Sequence, residues 1–221
     1  NELEKDFARL SELTKGKIET LHLMGGEPLL HPEIDKIIKI SRKYFPIGDI
    51  EVVTNGILLP KMNKSFWEMC AINKIIISLT RYPIQLDMDK ILNLVKNYNV
   101  IFEYYNIGKK KMYKRPLDLL GKQNSRESFK ICYMSNYCIQ LKDGNLYTCS
   151  VAPYAKFFND YFGEKLKTDE KNGINIYKAN DMDEIFRFLT KPVPFCRYCN
   201  IKATTRVLDW KVSEKDINEW I

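Results

Sequence analysis

The chain has 221 residues, 45% of them hydrophobic, enough for one sizeable core or one core with a small appended unit; this excludes a disordered chain. The net charge of +7, from 35 Lys and Arg against 28 Asp and Glu, is modest and spread out, so nucleic acid is not the expected partner. No apolar run reaches bilayer length, the first residues read as a charged helix and not as a signal peptide, and six cysteines without a secretion signal suit metal or chemistry better than disulfides; a cytoplasmic protein is expected.

Residues 2–14 read as an amphipathic helix with Leu3, Phe7, Leu10 and Leu13 on one face. Residues 18–24 read as a strand. A helix follows Pro32, carried by Ile34, Ile37, Ile38, Ile40 and Tyr44. DIEVVTNG is a strand with a turn at Asn55-Gly56, and Phe66, Trp67, Met69 and Cys70 mark a helix. KIIISLT is a buried strand, residues 88–98 a helix with Ile91, Leu92 and Val95 inward, and VIFEYYNI a further strand. This alternation of helix and strand implies parallel βα units, and the nearly continuous apolar strands imply a sheet covered on both faces. Loops at the C-terminal ends of such strands carry function, and the GGEP stretch, Asn55 and Ser78 all fall there.

The pattern changes after that. Residues 108–131 are basic and loop-like, with GKKKMYKR read as a solvated loop and KRPLDLL as a short helical turn. YCIQLKDGNLYTCSV is a hairpin about Asp143-Gly144, begun by Cys138 and ended by Cys149. Residues 154–162 are helical and GEKLKTDEKNG is a surface excursion. Asp181 and Glu184 open a helix that turns Ile185, Phe188 and Leu189 inward, and SEKDINEWI closes the chain as a short helix capped by Ser213.

Cys196 and Cys199 form a C-x-x-C, whose soft sulfurs suit zinc or an iron–sulfur cluster. The hairpin region offers three more thiols. The expected ligands are Cys132, Cys149, Cys196 and Cys199, with Cys138 as competitor for the first place; Cys70, beside Trp67, reads as a small buried hydrophobe. A four-cysteine zinc site more commonly shows two close C-x-x-C pairs, and only one is present.

LHLMGGEPLLHPEI, residues 21–34, resembles the GGEP segment of radical S-adenosylmethionine enzymes. In that family it ends the second strand of a partial α/β barrel, where backbone and glutamate hold the amino group of the methionine part. The resemblance thus assigns Gly25, Gly26, Glu27 and Pro28 to S-adenosylmethionine, with Asn55 and Ser78 where the family meets the cofactor's ribose or carboxylate. Glycines let backbone approach a ligand, a glutamate meets an ammonium with a charge-assisted hydrogen bond, and a proline fixes the turn.

Cys132, Gly144, Cys149 and the distant Cys196–Cys199 pair resemble a twitch domain, a shortened SPASM domain that holds one auxiliary 4Fe–4S cluster through four cysteines; Cys138 is too close to Gly144 for the first position. A short βα core before such a unit also resembles the aminoglycoside-alcohol dehydrogenases of this superfamily. The implied fold class is α/β: a partial (β/α) barrel with parallel strands over 1–110, lacking its first strand, then a small α+β twitch/SPASM-like domain over 111–221. The family's catalytic C-x-x-x-C-x-x-C is absent from this sequence. It is expected before Asn1, in a chain truncated at its N-terminus and inactive by itself; the alternatives are a degenerate scaffold and a non-catalytic four-cysteine zinc module. The resemblance implies that the intact enzyme generates a 5′-deoxyadenosyl radical that takes hydrogen from a small-molecule or peptide substrate. Its electrons would come from a donor such as flavodoxin or ferredoxin, and the auxiliary cluster would assist oxidation or substrate binding.

Overall fold

The computed structural model describes residues 2–106 and 111–221. They form two compact units that divide between residues 110 and 111.

The first unit runs α1 (Glu2–Thr14), β1 (Thr20–Leu23), α2 (Ile34–Tyr44), β2 (Asp49–Thr54), α3 (Lys64–Ile72), β3 (Ile76–Thr80), α4 (Met88–Tyr98) and β4 (Ile101–Asn106). Asn63 and Asp87 cap α3 and α4 by accepting from the N–H groups of Phe66 and Lys90, and Asn99 closes α4 in the left-handed region. The sheet order is β1-β2-β3-β4, all parallel, so this unit is α/β with a four-stranded parallel sheet. Each helix joins neighbouring strands in sequential order, and α2 packs on α3 and α3 on α4, so these helices share one side of the sheet. One face carries Ile50, Val52, Ile77 and Leu79, all fully buried.

Strand alternation and register place His22, Glu51, Val53, Ser78, Glu103 and Tyr105 on the other face. The expectation of two fully covered faces is corrected there: β4 is largely exposed, with Ile101 at 46% and Tyr105 at 44%, because no further strand or helix of this unit covers it among the described residues. The His22 and Tyr105 rings meet edge-to-face at 5.6 Å. Their strands lie three ladder spacings apart, about 14 Å in a flat sheet. The sheet therefore curls toward its polar face.

The second unit runs β5 (Lys111–Lys114), α5 (Ser125–Ile131), β6 (Gln140–Lys142), β7 (Asn145–Tyr147), α6 (Ala155–Phe162), β8 (Gly173–Asn175), α7 (Met182–Leu189) and β9 (Thr205–Asp209). β5 pairs antiparallel with β9, and β6-β7-β8 form an antiparallel sheet. Asp143 (φ 50°) and Gly144 (φ 68°) make the tight turn between β6 and β7. The core gathers Leu117, Ala152, Ala155, Leu166, Val193, Phe195 and Tyr198, with Cys149, Cys196 and Cys199 packed against it.

Several expectations fail in instructive ways. The basic run is not all solvated loop, since Lys111–Lys114 is a strand; its residues 108–110 lie outside the described residues. KRPLDLL forms no helical turn, because Leu117 bridges Cys199 and its N–H donates to Trp220 O. The "surface excursion" ends in strand β8, and β9 was not anticipated. Cys138 and Cys149 flank the hairpin strands without belonging to them. Leu92 is 44% exposed, not inward. The last turn is a 3-10 turn, Ile217–Glu219, capped by Asp216 and not by Ser213, whose hydroxyl instead donates to Glu219.

Candidate functional site

The loop after β1 is held by its carboxylate. Pro28 opens a 3-10 turn, Pro28–Leu30, capped by Glu27. Thr54 Oγ1 donates to Glu27 Oε1 (2.6 Å), the Leu29 N–H to the same oxygen (3.3 Å), and the Asn55 N–H to Oε2 (3.0 Å). Thr54 Oγ1 in turn accepts from the Gly56 N–H (3.1 Å), and Asn55 Oδ1 from the Ile57 N–H (2.9 Å). One side chain thereby ties the end of β1 to the end of β2. A carboxylate offers about four acceptor positions. Three are used by these donors, which leaves room for one more on Oε2.

The two glycines differ from the others in the unit. A Cβ built on Gly25 or Gly26 meets nothing within 4 Å, and neither has a positive φ. At Gly56 (φ +83°) a Cβ would come within 2.5 Å of Leu79 Cδ1, and at Gly48 it would overlap the Ile18 carbonyl. The fold itself thus explains Gly48 and Gly56 but gives no reason for Gly25 and Gly26. Both are exposed above a buried Pro28 and Leu29.

The structure brings Asn55 against Glu27 directly. Ser78 lies one strand further, in register with Val53 and Glu103, and is 2% exposed. Its hydroxyl has no hydrogen-bond partner among the described residues. Below it on the same face, His22 Nε2 sits 3.5 Å from Glu51 Oε1. Glu103 is exposed on this curved face.

In the second unit the chemistry is thiol. Cys132 sits between α5 and a 3-10 turn, Cys149 follows β7, Cys196 lies in a 3-10 turn over Pro194–Tyr198 and Cys199 closes that turn. All four line one small cavity walled by Phe129, Val193 and Phe195, whereas Cys138 does not line it. The C-x-x-C turn is fixed from several sides: Ser128 Oγ donates to Cys199 O (2.9 Å), the Asp118 N–H to Tyr198 O (2.7 Å), the Gln123 N–H to Arg197 O (3.0 Å) and the Phe195 N–H to Asn172 Oδ1 (2.7 Å). All six cysteines are free thiols. Among the described residues no group of three or more His, Cys, Asp or Glu is gathered closely enough to hold a single metal ion.

Burial pushes the Cys196 thiol up to about 11 and raises Cys199 and Cys149 as well; the other thiols of the cavity add to the rise. The backbone N–H groups of Ala152 and Val151 oppose it at Cys149. Sequence reasoning missed one group here. Arg115, in a stretch read as solvated, is half-buried with Nη1 4.0 Å from Cys132 Sγ. Its position before Pro116 gave no local signal, because the thiol it meets is 17 residues on.

No protein-family model matches the chain. Curated proteins do match in part. The chain is 53% identical over 47 residues to a GTP 3′,8-cyclase of Clostridium acetobutylicum, covering 21% of this chain and 15% of that protein. It is 31% identical over 102 residues to the GTP 3′,8-cyclase of Aquifex aeolicus, covering 46% and 29%. A probable GTP 3′,8-cyclase of Aeropyrum pernix is 42% identical over 43 residues, covering 20% and 11%. The matches span less than a third of each relative's length. No helix among the described residues is long and apolar enough to cross a membrane. The matched relatives all carry the name of one enzyme, GTP 3′,8-cyclase, the Aeropyrum pernix protein as a probable one.

Proposed function

We propose that residues 1–110 are part of a radical S-adenosylmethionine core built as a partial barrel, and that 111–221 are a twitch/SPASM-like domain for an auxiliary 4Fe–4S cluster. The curl of the parallel sheet toward His22 and Tyr105 supports the partial barrel. The open space above Gly25 and Gly26 suits a ligand lying against bare backbone, and the remaining acceptor position on Glu27 suits its ammonium. Asn55 and the unpartnered Ser78 hydroxyl complete the cofactor contacts on the neighbouring strands.

The observation that carries the second half is the convergence of Cys132, Cys149, Cys196 and Cys199 on one cavity. Four soft donors around a shared space fit an iron–sulfur cluster. A zinc ion would need its four sulfurs drawn to about 2.3 Å from one centre. Four-cysteine zinc sites commonly show two close C-x-x-C pairs and this chain has one, so the zinc module is the weaker reading.

S-adenosylmethionine bound with a reduced cluster supplies a 5′-deoxyadenosyl radical for hydrogen-atom abstraction. The chain's own residues bind and orient it: the loop after β1 through backbone and Glu27, the end of β2 through Asn55. A small-molecule substrate, held on the polar face of the sheet, fits the whole protein's activity; electrons would come from a flavodoxin or ferredoxin. The test is iron and sulfide analysis of anaerobically prepared protein. About four of each per chain, lost on Cys132→Ala, Cys149→Ala, Cys196→Ala or Cys199→Ala and kept in Cys138→Ala, is the expected result. One zinc without sulfide would overturn the cluster assignment.

A further inference from the structure

We propose that Arg115 is a positioning residue for the auxiliary cluster, a fixed cation beside Cys132 that raises the cluster's reduction potential. The inference rests on the cluster reading above and adds a role that no residue of the thiol set can supply.

Two observations place the charge. The guanidinium Nη1 lies 4.0 Å from Cys132 Sγ, the ligand contributed by the turn after α5. The backbone on either side is locked. Lys114 ends β5, which is paired with β9. Pro116 O accepts from the Asn200 N–H at 3.0 Å, and Leu117 bridges Cys199. Arg115 is thus strapped to the same C-x-x-C turn that offers two of the four sulfurs, so its charge keeps a set distance from the cavity. Proline next in sequence also restricts Arg115 to extended backbone.

The physics follows from charge. Four thiolates give a cluster site a negative surrounding, and reduction adds one more electron without making or breaking a bond. A nearby cation stabilises the reduced form more than the oxidised form, and half-burial weakens solvent screening. Charge and hydrogen bonds to the sulfurs are among the features that set such potentials. Arginine suits the task because it stays charged at every working pH, so the potential does not drift with protonation of the cation.

The experiment compares the unaltered 221-residue chain, Arg115→Gln and Arg115→Lys, each with its cluster reconstituted anaerobically. Iron and sulfide are counted first, then the midpoint potential is read by dye-mediated titration with dithionite, followed by electron paramagnetic resonance. The expected result is equal cluster content in all three, a more negative midpoint for Arg115→Gln, and a midpoint near the unaltered value for Arg115→Lys. Equal potentials in the unaltered chain and Arg115→Gln, at equal iron content, would overturn the proposal and leave the cluster reading intact. If Arg115→Gln holds no cluster, Arg115→Lys decides: an unshifted midpoint there supports the charge, and a midpoint shifted negative despite the retained charge overturns it. An unaltered chain that binds no iron and sulfide would instead remove the cluster reading, and the proposal with it.

Discussion

The two candidate sites are built in opposite ways. The loop after β1 is a backbone site: two glycines, one carboxylate and a proline, consecutive in sequence and set at the rim of a parallel sheet. The thiol cavity is a side-chain site, assembled from turns around Cys132, Cys149 and the Cys196–Cys199 pair, which meet only when the second unit packs. The first rests on bare backbone and one tied carboxylate, the second on four sulfurs that reach the same space.

The largest effect that would sharpen this contrast is at the glycines. Gly25→Val or Gly26→Val adds atoms where the chain has none within 4 Å. S-adenosylmethionine affinity should fall about 100-fold, or about 2.8 kcal/mol, while the melting temperature stays within about 1 °C. Gly48→Ala is the counterpart: its Cβ would strike the Ile18 carbonyl, so stability should drop by about 1–3 kcal/mol. Calorimetric titration and thermal unfolding read both. Equal unfolding losses at Gly25 and Gly48 would erase the distinction between a glycine kept for a ligand and one kept for the fold.

How much of this was legible in the sequence follows the same division. Gly25, Gly26, Glu27 and Pro28 stand out locally because glycine and proline punctuate an apolar strand, and α1 to β4 follow from periodicity. The partner of Glu27 was not legible: Thr54 is 27 residues away and its hydroxyl looks like any strand threonine. The polar face of the sheet was hidden by β-branched residues on β3, where Ile76 and Ser78 share the face of Glu51 and Glu103. In the second unit the cysteine spacing could be read, but β8 and β9 could not. Gly173–Asn175 is three residues long, and β9 exists only because β5 lies beside it. Arg115 was hidden for the same reason as Thr54, since a long-range contact leaves no periodic trace.

A middle-sized effect tests whether Glu27 belongs to the chain or to the ligand. Glu27→Gln keeps the size and removes the charge that receives the Thr54 hydroxyl and the Asn55 N–H. Charge-assisted bonds of this kind contribute about 1.5–3 kcal/mol, so urea unfolding without cofactor should show a loss of about 2 kcal/mol. Thr54→Val should lose less, about 1 kcal/mol. Loss of cofactor binding at unchanged stability would mean that the carboxylate serves the ligand alone, and the tie between β1 and β2 would need another source.

The smallest effect concerns Cys70, the thiol that belongs to neither site. It is fully buried on α3, and burial pushes it up from 9.0 to about 12. The sign follows from linkage. Between pH 9 and 12 the unfolded chain releases this proton while the folded chain keeps it, so the folded state loses stability as pH rises through that window. Below pH 9 the contribution is fully present. Cys70→Ala should therefore flatten the alkaline limb of a stability–pH curve measured in urea. At neutral pH, in the native metal-free chain, a maleimide should label Cys132, which is partly exposed, well before Cys70. Rapid labelling of Cys70 under native conditions would mean that α3 opens readily. The sheet that carries the glycine loop would then be the softer of the two frames, the reverse of what its buried β3 and fully enclosed Trp67 imply.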